Sequence, residues 1–382
     1  MFTFAGKLHI NNFSCIMANV IKIKKGLDIN LKGKASDVLL NGGKSESYAI
    51  VPDYYNGILP KVVAKVGEKV KAGSVLMIDK NRPEIKFVSP VSGEVTAVNR
   101  GEKRKVLSIV VKPDAQIEYE EFGKKNVASL QGAEVKEVLL NAGMWPFIKQ
   151  RPYDIVAAPL DTPRDIFVSA FYSAPLAPNF DFIVKGQEAD FQTGLNALAK
   201  LTNGKVYVGV RSGSVVSGMK GVEIVEVEGP HPAANVGVQI NHIKPVNKGE
   251  VVWTVNPADV IVIGRLFNKG VADFSRMVAI TGSETTERGY VKTISGCTIK
   301  SLVNGKVLGQ EHIRIISGNV LTGTKVNMDG YLGAYDNQIT VIPEGDETHE
   351  FLGFAMPRFN QFSASHSLSL IHISEPTRLD VI

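Results

Sequence analysis

Two short stretches carry residue types that could do chemistry. One is Gly229-Pro230-His231-Pro232-Ala233-Ala234-Asn235-Val236-Gly237. A proline on each side of His231 fixes φ and stiffens the turn. A histidine held there can act as a hydrogen-bonded strut in a rigid loop, or face a partner and donate a proton near neutral pH. The other stretch is Met144-Trp145-Pro146-Phe147, followed by Arg151-Pro152. Apolar rings at that density either plug a core or wall a pocket for a flat apolar ligand. Metal chemistry has little to work with. His242 stands eleven positions after His231, which is not a metal-ligand spacing. Cys15 and Cys297 are too few for an iron–sulfur cluster or a structural zinc, which need about four ligands. No nucleophile elbow, Walker loop or zincin helix occurs.

The elements that must position these stretches fall into three blocks. From Gly57 to Asp114, short β-branched runs alternate with glycine turns: Val62–Val66 before Gly67, Ser74–Ile78, Glu94–Val98 after Gly93, and Val106–Val111. Period-2 strands at such spacing predict a small closed β-sandwich. Residues 17–56 are expected to flank it. The stretch resembles a lipoyl or biotinyl carrier domain, in which a lysine at a hairpin tip takes the swinging arm. Asp79-Lys80 stands in that place, but Asn81-Arg82-Pro83 lengthens the tip and Pro83 removes a donor where the turn should close. The expectation is an unmodified sandwich. Lys61, Lys65, Lys69, Lys71, Arg100, Lys103, Arg104 and Lys105 make it basic, either as a solvated face or as a docking face for an acidic partner or an anionic leaflet.

From about Gln116 strands alternate with helices. Val135–Gly143, Asp190–Leu201 and Asn256–Leu266 read as helices, the last capped by Gly270. Asp165–Ala170, Lys205–Val210 and Val222–Val227 read as strands. That alternation predicts a parallel α/β layer. Glu226 and Glu228 alternate with valines as on a solvated strand face, and Glu223 is out of phase with them. Residues 275–345 revert to β.

The totals set limits. The chain has 382 residues, 21% charged and 44% apolar, with a formal net charge of +5. That length suits two to four domains. The charge is too mild to point to nucleic acid. No apolar run approaches the ~18 residues of a spanning helix, and two cysteines fit a reducing compartment. Met1–Ile16 reads as upstream translation preceding a start at Met17. Leu368–Arg378 (LSLIHISEPTR) resembles a translated sequencing adapter, so the natural chain is expected to end near Ser367 and to continue beyond it in full-length members.

The run SPVSGEVTAVNRGEKRKVLSIVV, the upstream VIKIKKGLDINLKGKA and the GPHPAANVG stretch together resemble the A-subunit family of the Na+-translocating NADH:quinone reductases, over about Met17 to Ser367. The resemblance implies a multidomain α/β and β chain. Its parts are a carrier-like barrel-sandwich over 17–114, a Rossmann-like, flavoprotein-like α/β domain over 115–272, and a β-grasp of the soluble-ligand-binding type over 273–345. Residues 346–367 would begin a truncated C-terminal region, with 1–16 and 368–382 outside the natural chain. In the related NADH-binding flavoprotein of respiratory complex I, a glycine cluster after the first helix holds FMN. Here that place reads Asn141-Ala142-Gly143-Met144-Trp145, and the bulky pair should block a phosphate. The family implies a peripheral subunit on the cytoplasmic face of the bacterial inner membrane, with no cofactor of its own. NAD, FAD, FMN, riboflavin and the iron–sulfur centre would sit in partner subunits, some of them membrane-embedded. It makes Met144, Trp145, Phe147, Arg151, Gly229, Pro230, His231 and Pro232 candidate contacts for a quinone or a partner. The alternatives are a scaffold like the C subunit of a ferredoxin:NAD oxidoreductase, and a non-enzymatic ligand-binding or carrier protein.

Overall fold

A four-stranded sheet and a three-stranded sheet face each other across a core of Leu76, Met77, Ile85, Val91, Val95, Ile109 and Val111, all fully buried. The first sheet runs Tyr48–Ile50, Val106–Pro113, Gly93–Arg100, Lys69–Val70. The second runs Pro60–Val62, Val75–Asp79, Lys86–Val88. Gly93 is needed where strands cross closely, because a Cβ there would run into the Lys112 carbonyl. The structure, a computed structural model, describes residues 19–309 and 311–346. The chain divides into two units, 1–343 and 344–382, and in the second only residues 344–346 are described. Both terminal stretches read as foreign from sequence lie outside the described residues.

The lengthened tip is closed by its own side chains. The buried Asp79 carboxylate accepts from Leu59 N, Asn81 N and Arg82 Nε at 3.1, 3.1 and 2.8 Å. Arg82 also donates to Val156 O and Gly57 O at 3.1 and 2.8 Å. Lys80 is exposed beside them.

The α/β layer is a seven-stranded sheet in the order Asn19–Lys22, Glu223–Glu228, Val206–Val210, Ile166–Ser169, Val252–Val255, Ile148–Arg151, Ile155–Val156. Two expectations need correction here. The layer is parallel only through its first five strands; the last two are antiparallel. Residues 17–56 do not simply flank the sandwich. Asn19–Lys22 completes the Glu223–Glu228 edge, and Leu39–Leu40 pairs with Gly289–Ile294. Only Tyr48–Ile50 joins the sandwich. Each sheet edge offers unpaired N–H and C=O groups that a passing segment can satisfy.

Helices Glu188–Ala199 and Pro257–Lys269 cover one face of this layer and meet at glycines. A Cβ on Gly194 would strike Val260 O, and one on Gly264 would strike Asp190 O. Val236–Ile243 packs on the other face, where Ile240 meets Phe167 and Val252. The third block is a six-stranded sheet, Thr324–Lys325, Ile313–Ser317, Gln338–Pro343, Ser275–Thr281, Gly289–Ile294, Leu39–Leu40, with the short helix Ile299–Val303. Arg276 of this sheet reaches Asp259 in the first turn of Pro257–Lys269, an ion pair of 2.9 Å with both side chains buried. No helix among the described residues is long and apolar enough to cross a membrane.

Candidate functional site

Strands Ile166–Ser169, Val206–Val210 and Glu223–Glu228 step outward in one direction. Val252–Val255 then returns to the other side of Ile166–Ser169. Such a reversal leaves a crevice beyond the carboxyl ends of the two strands that part, which is where open α/β sheets place ligands. A cleft of about 730 Å³ occupies that position. Ser169, Phe171 and Tyr172 line it from one strand, and Thr254 to Pro257 from the other.

Both stretches singled out in the sequence contribute walls. Lys149 and Arg151 come from the antiparallel strand and Phe147 from the turn before it; Ala234 and Asn235 come from the loop that follows His231, and Val236 to Val238 from the first turn of helix Val236–Ile243. Lys149 Nζ lies 3.9 Å from the centroid of the Tyr335 ring and 3.8 Å from Asp154. Arg151 touches Asp154 at 3.3 Å, off hydrogen-bond geometry, and Arg151 Nε and Asp154 Oδ1 have no hydrogen-bond partner. Asn235 opens helix Val236–Ile243 without a side-chain cap; its carbonyl accepts from Val238 N at 2.9 Å, and the N–H groups of Val236 and Gly237 get nothing from it. Asn256 caps its own helix at Ala258 N and also accepts from Tyr172 Oη at 2.9 Å. Asn337 Nδ2 donates to Tyr172 Oη at 3.0 Å, and Tyr335 Oη donates to Pro146 O at 2.7 Å. Burial pushes the Tyr172 and Tyr335 hydroxyls well up, so both stay neutral donors. Behind the cleft, burial pushes Asp259 up to about 6 against the pull of Arg276.

The predicted residues divide. Phe147 and Arg151 stand in the cleft wall. Met144 and Trp145 are fully buried; Trp145 Nε1 donates to Ala157 O at 2.8 Å and its ring meets Trp253 edge-on at 5.3 Å. They plug the core and present no face to a ligand. Gly229, Pro230, His231 and Pro232 do not line the cleft; they precede its wall residues Ala234 to Val238 in the chain. The His231–Pro232 and Arg151–Pro152 peptides are cis. His231 is held on three sides: its N–H donates to Asp28 at 2.8 Å, its carbonyl accepts from Leu27 N at 2.9 Å, and Nδ1 lies 3.0 Å from Ser173 Oγ. That is the strut arrangement. Lys149, Tyr172, Asn256 and Tyr335 were not read from sequence. The Asn-Pro helix start at 256 was the one available signal for them.

Residues 21–114 match the family model described as the NqrA N-terminal barrel-sandwich hybrid domain. Residues 130–272 match the NqrA second alpha/beta domain, and 277–328 the NQRA C-terminal domain. The A subunit of the Na(+)-translocating NADH-quinone reductase of Neisseria meningitidis is 35% identical over 353 residues, 91% of this chain and 78% of that one. The chain belongs to the A-subunit family of the Na(+)-translocating NADH-quinone reductases. Other relatives in this family are those of Hahella chejuensis, 37% identical over 350 residues (90% of this chain, 78% of that one), and Aliivibrio salmonicida, 37% over 358 (93% and 80%). The resemblance read from the sandwich and from GPHPAANVG is therefore that of the family itself. Among solved structures, the NAD+-reducing [NiFe]-hydrogenase in the H2-reduced state aligns with a TM-score of 0.35 at 12% identity, covering 48% of this chain and 41% of that one. So slight a likeness carries no argument.

The flavoprotein-like reading of residues 115–272 raises the question of a bound flavin. In the turn after helix Gly132–Asn141, the N–H groups of Gly143 and Met144 are spent on Leu140 O and Leu139 O at 3.3 and 2.9 Å. A Cβ on Gly143 would sit 2.6 Å from Val88. With Met144 and Trp145 filling the space beyond, these residues do not fit a phosphate cradle. Among the described residues, no group of three or more His, Cys, Asp or Glu could hold a metal.

Proposed function

We propose that this chain is a peripheral subunit of a Na+-pumping NADH:quinone reductase, docks on the membrane subunits from the cytoplasmic side, and contributes to the quinone end of electron transfer. NAD, the flavins (FAD, FMN, riboflavin) and the iron–sulfur centre belong to the partner subunits. The observation that carries the reading is convergence. Phe147 and Arg151 from one predicted stretch, and Ala234 to Gly237 from the other, meet in one cleft at the point where strand order reverses. Phe147, Phe171 and Tyr335 offer apolar walls for a ring. Arg151, Lys149 and the uncapped N–H groups of Val236–Ile243 offer donors for carbonyl oxygens. In this reading the α/β layer is a flavoprotein-like scaffold whose flavin site is closed. The 273–345 block is a β-grasp of the soluble-ligand-binding type, and 17–114 and 115–272 are the preceding domains.

The test is a tagged chain expressed in a host that carries the other subunits, purified from solubilised membranes. Na+-stimulated NADH:quinone activity should co-purify with it. Arg151→Gln should raise the KM for quinone about tenfold, the equivalent of one charge-assisted hydrogen bond. NADH oxidation by an artificial one-electron acceptor should stay unchanged. An unaltered quinone KM would remove the cleft from the quinone path.

A further inference from the structure

Six charged residues are buried among the described residues, and five of them have a charged partner. Asp79 holds Arg82, Asp165 holds Lys244, Asp259 holds Arg276, and Arg265 holds Asp190 and Asp273. The sixth is Lys306. It is 8% exposed, and among the described residues its ammonium has one hydrogen bond, to Leu302 O at 3.3 Å. No carboxylate among the described residues lies within ion-pair distance of it. A buried ammonium loses its hydration and ordinarily regains it from a counter-charge. Here the counter-charge is missing among the described residues.

Lys306 lines a cavity of about 350 Å³ between loop 43–47 and helix Ile299–Val303. Lys44 and Lys300 stand exposed at its mouth, and the Tyr331 hydroxyl lies 3.2 Å from Ser47 Oγ. Glu46 and Asp329 also line it, but neither pairs with Lys306. The volume lies at the small end of the ligand-pocket range and exceeds what a bare ion needs. We propose that this cavity binds a small organic oxyanion, a carboxylate or a phosphate, whose charged end pairs with the Lys306 ammonium. Lys44 and Lys300 attract it to the mouth, and the Tyr331 hydroxyl supplies a further hydrogen bond. Lysine suits this role because its ammonium is a point charge that accepts either oxyanion. The site is separate from the switch-point cleft and does not depend on the quinone reading.

The experiment is thermal unfolding and calorimetric titration of the full chain with sodium phosphate and, separately, sodium acetate, at ionic strength held constant with chloride. Binding to the native state raises Tm with ligand concentration. A saturable Tm rise with one of the two anions supports the site and identifies the oxyanion class. Lys306→Met should weaken that binding by about tenfold or more. If Lys306→Met does not fold, the double substitution Lys44→Met with Lys300→Met decides by the same titration, with binding expected to weaken severalfold. No rise above the chloride control, or a rise that Lys306→Met or the mouth substitutions leave unchanged, overturns the proposal.

Discussion

The central strand Ile166–Ser169 ends in two unlike regions. At its amino end the buried Asp165 carboxylate accepts from Lys205 N, Arg164 Nε and Lys244 Nζ at 3.1, 2.8 and 2.7 Å. Arg164 is used up in turn by Lys244 O, Pro245 O and Glu250. This end of the sheet is stitched shut by its own polar groups. At the carboxyl end the chain turns away on both sides of a cleft, and polar groups are left over. Arg151 Nε and Asp154 Oδ1, on the cleft wall supplied by the antiparallel strand and the turn after it, have no hydrogen-bond partner, and the Asn235 side chain does not cap its helix. The sandwich tip resembles the amino end: Asp79 and Arg82 satisfy one another and the loops around them. Residue types alone do not separate these places, since each has an arginine, an aspartate and a turn. What separates them is whether the fold has already used the hydrogen-bonding capacity.

That contrast can be broken most forcefully from behind the cleft. Asp259→Asn leaves Arg276 buried without its counter-charge and should cost about 3–5 kcal/mol, read from the urea midpoint. A loss under about 1 kcal/mol would show that the pair does not hold the cleft to the third sheet. At the stitched end, Asp165→Ala strands three donors and should cost about 2–3 kcal/mol.

Acid offers a sharper comparison. Burial opposes ionisation of Asp165, but hydrogen bonds from Lys244, Lys205 N and Arg164 outweigh it and hold the carboxyl below its ordinary range. A carboxyl depressed in the folded state contributes stability above its unfolded value of about 3.9, lost as pH falls through the folded value. Stability should therefore fall on acidification below about pH 4, and Asp165→Asn should flatten the fall. A slope unchanged in Asp165→Asn would assign it to other carboxyls. The smallest effect belongs to the cleft. Arg151→Gln should change stability by under about 1 kcal/mol, while the quinone KM moves. A large stability loss with unchanged KM would make Arg151 a strut like Arg164.

Local pattern was enough for most elements. The helix over Pro257–Lys269 was legible because Asn256 and Pro257 start it and Gly270, at φ 76°, ends it. Glycine turns and β-branched runs gave the sandwich strands. The destinations of Asn19–Lys22 and Leu39–Leu40 were not legible. A short strand's sequence shows which face is apolar but not which of several open edges it will complete. The two candidate stretches were legible as stretches, yet their roles separated only in three dimensions. Trp145 and Phe147 are two residues apart, and one is locked in the core by Ala157 O while the other reaches the cleft.

The sequence by itself determined the family, the β-sandwich and the alternation of strands and helices. These follow from periodicity, turn residues and stretches short enough to read along the chain. Tertiary structure alone decided where the cleft lies, which polar groups it leaves unused, and that Lys306 is buried with no counter-charge among the described residues. Each of those depends on partners far apart in sequence, and satisfaction of a charge or an N–H is a property of the neighbourhood, not of the residue.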